Sequence, residues 1–271
     1  TVYHAAASKS GSYASMVSNT VTCSDNLYRA CVAEDVKRFV LISSFSVIGV
    51  ADLQPGSVID ESAPIESFPE KRDQYAFSKQ RQETLAWEYF RDNELPLVVV
   101  RPGVIFGPGA HILGPRIGVD LFGLFLHLGH SNLIPLTYVD NCAEAIVCAG
   151  TTPDIEGEAF CIVDDDLPTS KMLLRRFSRD VSKVRSVPIP RWLLRILARA
   201  NEFYSKRTHR HLPVLYSQYE IACMLENRRF SNAKAKNVLS WRPRVDMERA
   251  LEIAFDSLRR QQDDLANRTD S

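Results

Sequence analysis

The chain has 271 residues, 45% of them hydrophobic, enough to bury a full core and to form one large or two modest domains. Its 33 basic and 33 acidic residues cancel. No overall charge draws it toward nucleic acid or an anionic membrane surface, and neither is expected as a partner.

In chain order, Val2 to Ala7 reads as a strand already in progress behind Thr1. No Met opens the chain and nothing at its start resembles a signal peptide, so a missing upstream segment is expected, as in a fragment or truncated gene model. Ser18 to Glu34 carries apolar residues at helical spacing (Val21, Leu27, Tyr28, Cys31, Val32) and leads into a strand from Arg38 to Ser43, a first crossover. A loop from Ala51 to Arg72, a helix from about Gln74 to Asn93 and the apolar strand Leu97 to Val100 make a second, ending at Arg101-Pro102-Gly103. Continuous apolar strands separated by helices imply an α/β fold whose parallel sheet is covered on both faces. From Pro108 the pattern loosens. The longest apolar stretch, Ile117 to Leu128, is too short to span a bilayer and is broken by Asp120. Asp140 suits the N-cap of a helix over Asn141 to Ala149, and Ala159 to Val163 reads as another strand. The remainder is mostly helical (Ser170 to Asp180, Arg191 to Tyr204, Asn232 to Leu239, Met247 to Arg259) and reads as a smaller substrate-side domain.

Chemistry enters with Tyr75-Ala76-Phe77-Ser78-Lys79. Tyrosine and lysine four apart share a helix face, so the ammonium favours phenolate and lowers a pKa that starts near about 10. A base usable near neutral pH results. The strand before it ends in Ser43-Ser44, delivering a hydroxyl at the carboxyl edge of the sheet, where open α/β sheets place ligands. The six cysteines (Cys23, Cys31, Cys142, Cys148, Cys161, Cys223) lack a Cys-x-x-Cys pair and look like reduced core thiols, which points to the cytoplasm. His127 with His130, and His209 with His211, lack supporting ligands at metal spacing, so no metal site is expected.

With the serine, Tyr-x-x-x-Lys and Arg101-Pro102-Gly103-Val104-Ile105-Phe106-Gly107-Pro108-Gly109 in order, the chain resembles the extended short-chain dehydrogenase/reductase superfamily. The nearest branches are the NAD-dependent epimerase/dehydratases and the 3β-hydroxysteroid dehydrogenase type. Tyr138-Val139-Asp140-Asn141-Cys142-Ala143-Glu144-Ala145 and Leu239-Ser240-Trp241-Arg242-Pro243 extend the likeness. It implies a Rossmann-like doubly wound parallel sheet lacking its N-terminal strands and glycine-rich turn. Residues 1–107 plus 137–165 would be the remaining cofactor domain, and 108–136 plus 166–271 the substrate domain.

By that resemblance the cofactor is NAD or NADP and the activity that of an oxidoreductase or epimerase acting on a secondary hydroxyl. Tyr75 is the proton acceptor, Lys79 biases it and holds the nicotinamide ribose, Ser44 steadies the substrate oxygen, and Asn19 helps order the site. Ser43 and Ser46 are local rivals of Ser44, and Ser46 is a candidate for substrate contact. His4, Ala5 and Ala6 would line the adenosine side, although small alanines equally serve close packing. Pro102, Gly103 and Val104 would pass near the nicotinamide. Arg228 and Arg229 are candidates for substrate phosphates, with a solvated basic turn as the competing reading. Ser44-Phe45-Ser46 replaces the Thr-Asp-Glu of dehydratases, so elimination is disfavoured. The favoured substrate is a nucleotide sugar, with a sterol-type alcohol as the alternative, or a catalytically silent relative acting as a binding protein. A homodimer is the family expectation, through the helices near Ser18 to Glu34 and Gln74 to Asn93, with Cys31, Leu85 and Trp87. The basic, apolar stretch Pro190 to Arg210 reads as a helix packed on its own domain or lying on a membrane surface.

Overall fold

Alternate residues of the apolar strands face opposite ways, and that alternation explains why they are apolar throughout. The computed structural model describes residues 1–110, 112–207 and 217–269. β1 (Val2–His4) leads into α1 (Tyr13–Val17) and α2 (Cys23–Ala33), joined by a π-helical turn at Ser18–Thr22. β2 (Phe39–Ile42), the short β3 (Val58–Ile59), α3 (Gln74–Asn93) and β4 (Leu97–Pro102) follow. Next come β5 (Val104–Phe106), the hairpin of β6 (Gly118–Leu121) and β7 (Leu124–His127), β8 (Leu136–Tyr138), α4 (Val139–Thr151) and β9 (Glu158–Ile162). The rest comprises α5 (Ser170–Asp180), β10 (Ser186–Pro188), α6 (Arg191–Arg207), α7 (Gln218–Leu225), β11 (Arg229–Phe230), α8 (Ala233–Val238) and α9 (Met247–Thr269).

The central sheet has the order β1-β2-β4-β9, with every pairing parallel and Val40 opposite Val98. Phe39, Leu41, Leu97 and Val99 point to one face, against Tyr28 and Cys31 of α2 and Ala86 of α3. Val40, Val98 and Val100 point to the other, against Ala145 and Ala149 of α4, Ala235 of α8 and Leu239 just after it. A strand with helices on both faces has no polar side. Leu85 and Trp87 also pack on the first of these clusters, within this one chain.

Below the level of the main sheet, the structure differs from the sequence reading. Ile117 to Leu128 is a hairpin, turning at Phe122 and Gly123, both with positive φ (54° and 82°), and Asp120 Oδ1 accepts the Gly123 N–H across it. Its charge interrupts nothing because it sits exposed on β6 opposite Phe125. Asp140 is not the N-cap of α4 but lies in its first turn. The helix start is fixed by Asp164, which accepts from Tyr138 N and Asn141 Nδ2. β5 pairs with β8, and β10 with β7; such two- to four-residue pairings are too brief to leave a periodic signature. Among the described residues no helix is long and apolar enough to cross a membrane, and no group of acidic, His and Cys side chains could hold a metal ion. His127 instead meets Ser170, and His130 the carbonyl of Ile189. His209 and His211 lie outside the described residues.

Helix α3 is fixed at both ends of its site-bearing half. Asp73 caps it, its Oδ1 accepting from Ala76 N at 2.9 Å. Two turns on, the buried carboxylate of Glu83 pairs with Arg101 of β4 (Oε1 to Nη2, 2.6 Å) and accepts from Ser43 Oγ and Trp87 Nε1. Both partners are almost wholly shielded from water, so removing one leaves an unpaired buried charge. Glu83→Ala is therefore expected to cost about 3–5 kcal/mol in urea unfolding. Glu83→Leu with Arg101→Met is expected to recover most of that loss, and a double variant no more stable than the single one would contradict the account.

Candidate active site

The carboxyl edges of β2 and β4, the start of α3 and the segment before β6 enclose a cleft of about 560 Å³. Ser44 and Tyr75 meet in it. Ser44 sits in extended backbone after β2, and its Oγ caps the short 3-10 turn Phe45–Val47 by accepting from Ser46 N at 3.1 Å. That cap holds its hydroxyl on the same cleft wall as the Tyr75 phenol, whose pKa it draws down.

Lys79 lies one helical turn beyond Tyr75 and is only 2% exposed. Its ammonium donates to the Ile42 carbonyl at 2.7 Å and to Gln82 Oε1 at 2.5 Å. An ammonium has three donors, so one remains for the cleft that Lys79 lines. Burial brings its pKa down to about 8, against the opposing attraction of Glu83. The expected lowering of Tyr75 is not found. Burial raises its pKa, Ser44 draws it down, and Asp73 adds to the rise. The physical reason is that the Lys79 ammonium is committed to Ile42 and Gln82, while the apolar cleft penalises phenolate.

Beneath the lysine runs a polar chain that has no sequence signature. Gln82 Nε2 lies 2.7 Å from Ser24 Oγ and 3.1 Å from His4 Nε2, and His4 Nε2 lies 2.7 Å from Ser24 Oγ. Ser24 Oγ in turn donates to Thr20 O within the π-helical turn. His4 is thus a buried network residue off the cleft, whereas Ala5 and Ala7 line it; Ala6 contributes its carbonyl to Gln82. Asn19 also lies off the cleft, exposed in the π-helical turn with its Nδ2 donating to Ser15 Oγ. The turn holds the site through Thr20 and Ser24 instead.

The remaining expected positions divide. Ser43, Ser46, Gly103 and Val104 line the cleft, and Pro102 is buried in β4 behind it. A Cβ on Gly103 would lie 2.2 Å from the Pro135 carbonyl, so only glycine allows that close crossing at the cleft wall. Arg228 is buried with its guanidinium on the carbonyls of Val50, Leu53, Gln54 and Ala222, and Arg229 lines a separate pocket near Asp164 and Asp165. Neither reaches the cleft, which removes the arginines expected for substrate phosphate. Arg72 and Arg116, which the sequence does not single out, do line it.

Residues 1–162 match the family model for the NAD dependent epimerase/dehydratase family. The chain belongs to that family. Members to which it is similar include a sterol-4-alpha-carboxylate 3-dehydrogenase, decarboxylating, of Candida albicans, 29% identical over 85% of this chain and 68% of that protein. A UDP-glucose 4-epimerase of Vibrio cholerae is 26% identical over 64% of this chain and 53% of that one. The chain spans about half to two thirds of the length of the curated relatives it matches. The structure superposes on a Bacillus cereus UDP-glucuronic acid 4-epimerase crystallised with NAD, at a TM-score of 0.69 and 18% identity, over 96% of this chain and 74% of that one. A Rossmann-type epimerase/dehydratase fold thus stands on the comparison as well as on the sheet order.

The buried imidazole gives this site an acid limit. Burial, with Lys79 second, lowers the His4 pKa to about 4, so the folded protein refuses a proton that the unfolded chain accepts near pH 6.5. The unfolded state then binds more protons, and stability falls as pH drops from 6.5 toward 4, by a total of about 3 kcal/mol. His4→Gln is expected to remove this dependence, seen as a flatter urea midpoint across that window; an unchanged slope would refute it.

Proposed function

We propose that the protein is an NAD(P)-dependent oxidoreductase that interconverts a secondary alcohol and its ketone, with the convergence of Ser44, Tyr75 and Lys79 in one cleft as the supporting observation. When bound, the nicotinamide supplies the hydride acceptor. The residues present fit its ribose half: Lys79 has one N–H uncommitted, Ala5 and Ala7 leave a smooth wall at the edge of β1, and Gly103 and Val104 bring the chain past the far side. Residues 1–107 with 137–165 form the cofactor half in this reading, and 108–136 with 166–271 the substrate half.

Ser44 positions the substrate oxygen, and the Tyr75 phenolate removes the hydroxyl proton. Lys79 supplies the positive charge that favours phenolate once a bound oxygen displaces water from the cleft. Substrate choice follows from the walls. Ile42, Phe45, Ile105, Ile112, Ile117, Ile134 and Met224 offer many apolar contacts and few polar ones. That lining favours an alcohol on an apolar framework over a sugar, whose many hydroxyls need partners. The nucleotide-sugar reading retains the Vibrio cholerae relative in its favour, and an epimerase would use the same three side chains.

In the full-length protein, Tyr75→Phe is expected to lower kcat for oxidation of cyclic secondary alcohols by about 10²–10⁴-fold while leaving the melting temperature nearly unchanged. Wild-type protein that neither shifts in melting temperature with NAD, NADP or their reduced forms nor reduces them with any alcohol would reject the reading.

A further inference from the structure

Gln82 is the member of the polar chain beneath Lys79 that meets the ammonium itself, and its side chain is wholly buried. Its Oε1 accepts from Lys79 Nζ, while its Nε2 has Ser24 Oγ at 2.7 Å and the Ala6 carbonyl at 3.4 Å as acceptors. Turned over, the amide would set an N–H against a cation and its oxygen against the Ala6 carbonyl. Ser24 could not relieve that arrangement, because its hydroxyl proton goes to Thr20 O. The amide therefore has one orientation, and α2 fixes it.

A charged lysine carries three N–H groups and a neutral one two. Ile42 O and Gln82 Oε1 take two, so a donor remains for the cleft only while Lys79 keeps its proton. Burial opposes that charge and brings the pKa to about 8. Glu83 attracts the ammonium, but its carboxylate is occupied by Arg101 of β4, Ser43 and Trp87. An acceptor in contact with the charged form favours that form, and Gln82 supplies one without adding a second buried carboxylate beside Glu83. The other titratable groups on the inner side are His4 of β1, which burial keeps neutral, and Tyr28 of α2, whose hydroxyl donates to the Gln82 carbonyl. On the open side, Lys9, Arg72, Asp73, Tyr75 and Arg116 line the cleft.

We propose that Gln82 is a positioning residue, which holds the Lys79 ammonium against the end of β2 and keeps it charged, with Ser24 fixing the amide, so that one N–H stays available to the cleft. The use of that N–H in catalysis rests on the oxidoreductase reading; the hold on Lys79 does not.

The test reads the pKa of Lys79 in the full-length protein without cofactor, by NMR of lysines isotopically labelled at Cε, the signal being assigned with Lys79→Arg. The alkaline limb of kcat for oxidation of cyclic secondary alcohols is measured beside it. Gln82→Met should lower both by about one pH unit or more, and Ser24→Ala should lower both by less. Gln82→Glu, which keeps the acceptor and adds a negative charge, should raise both. If the methionine variant does not fold, the other two decide. A Lys79 pKa that stays in place in the folded variants, or that falls with Gln82→Glu, would overturn the assignment, even where each variant melts earlier as the loss of a purely structural amide requires. Opposite movements of the Lys79 pKa without nicotinamide reduction by any alcohol uphold Gln82 and sink the oxidoreductase reading; oxidation with Lys79 and the alkaline limb unmoved does the reverse.

Discussion

The geometry of the cleft depends on one buried carboxylate. Glu83 joins Ser43 at the end of β2, Arg101 at the end of β4 and Trp87 on its own helix, so α3 is clamped across two adjacent strands. Lys79 stands one turn before Glu83 and donates to Ile42 O, the residue preceding Ser43. Helix and strand edge are thereby held at two successive turns, and Tyr75, one turn earlier again, lines the cleft together with Ser44. A surface ion pair would not give such fixity, because water and salt would compete with it. Burial makes the clamp strong in geometry and costly to break, which suits a site that must place three side chains together.

The parts of this arrangement that local chemistry dictates were legible in the sequence. Apolar runs at Phe39–Ile42 and Leu97–Val100 announce buried strands because both faces are covered, and Tyr75 with Lys79 announces itself by helical spacing. The helix expected over about Gln74 to Asn93 has those ends in the structure, where Asp73 caps it and Glu94 closes it in the left-handed region. What was not legible depends on long-range approach. Arg116 lies 41 positions after Tyr75 in a stretch of glycine and proline without periodicity, and only tertiary folding brings it to the cleft. Arg228 shows the converse. Its charge suggested phosphate, yet its two terminal nitrogens are taken up by the carbonyls of Val50, Leu53, Gln54 and Ala222.

His4 and Asn19 were read as site residues by their place in the pattern, and the structure sets both behind the site. For His4 the reason is the end of β1, where its side chain turns into the interior against Tyr28 and Phe39 rather than toward the sheet edge. For Asn19 it is the π-helical turn, which adds a residue to the helix and rotates the faces that follow. Thr20 and Ser24 thereby point inward, and the carbonyl of Thr20 receives the Ser24 hydroxyl while the Thr20 hydroxyl accepts from Ser8 N.

The same desolvation acts on Tyr75 and Lys79 in opposite directions. It raises the phenol of Tyr75 and lowers the ammonium of Lys79 to about 8, so each group alone resists its charged form. The lysine charge does not offset the cost of ionising Tyr75, because its ammonium is turned to the Ile42 carbonyl and to Gln82. Gln82 bears on this balance, because its Oε1 accepts from the ammonium while its Nε2 faces His4 and Ser24. Neutral His4 can leave that amide's orientation undisturbed, whereas a protonated ring would place a second cation beside the lysine and drive its proton off. The low pKa of the buried imidazole thus protects the charge on Lys79.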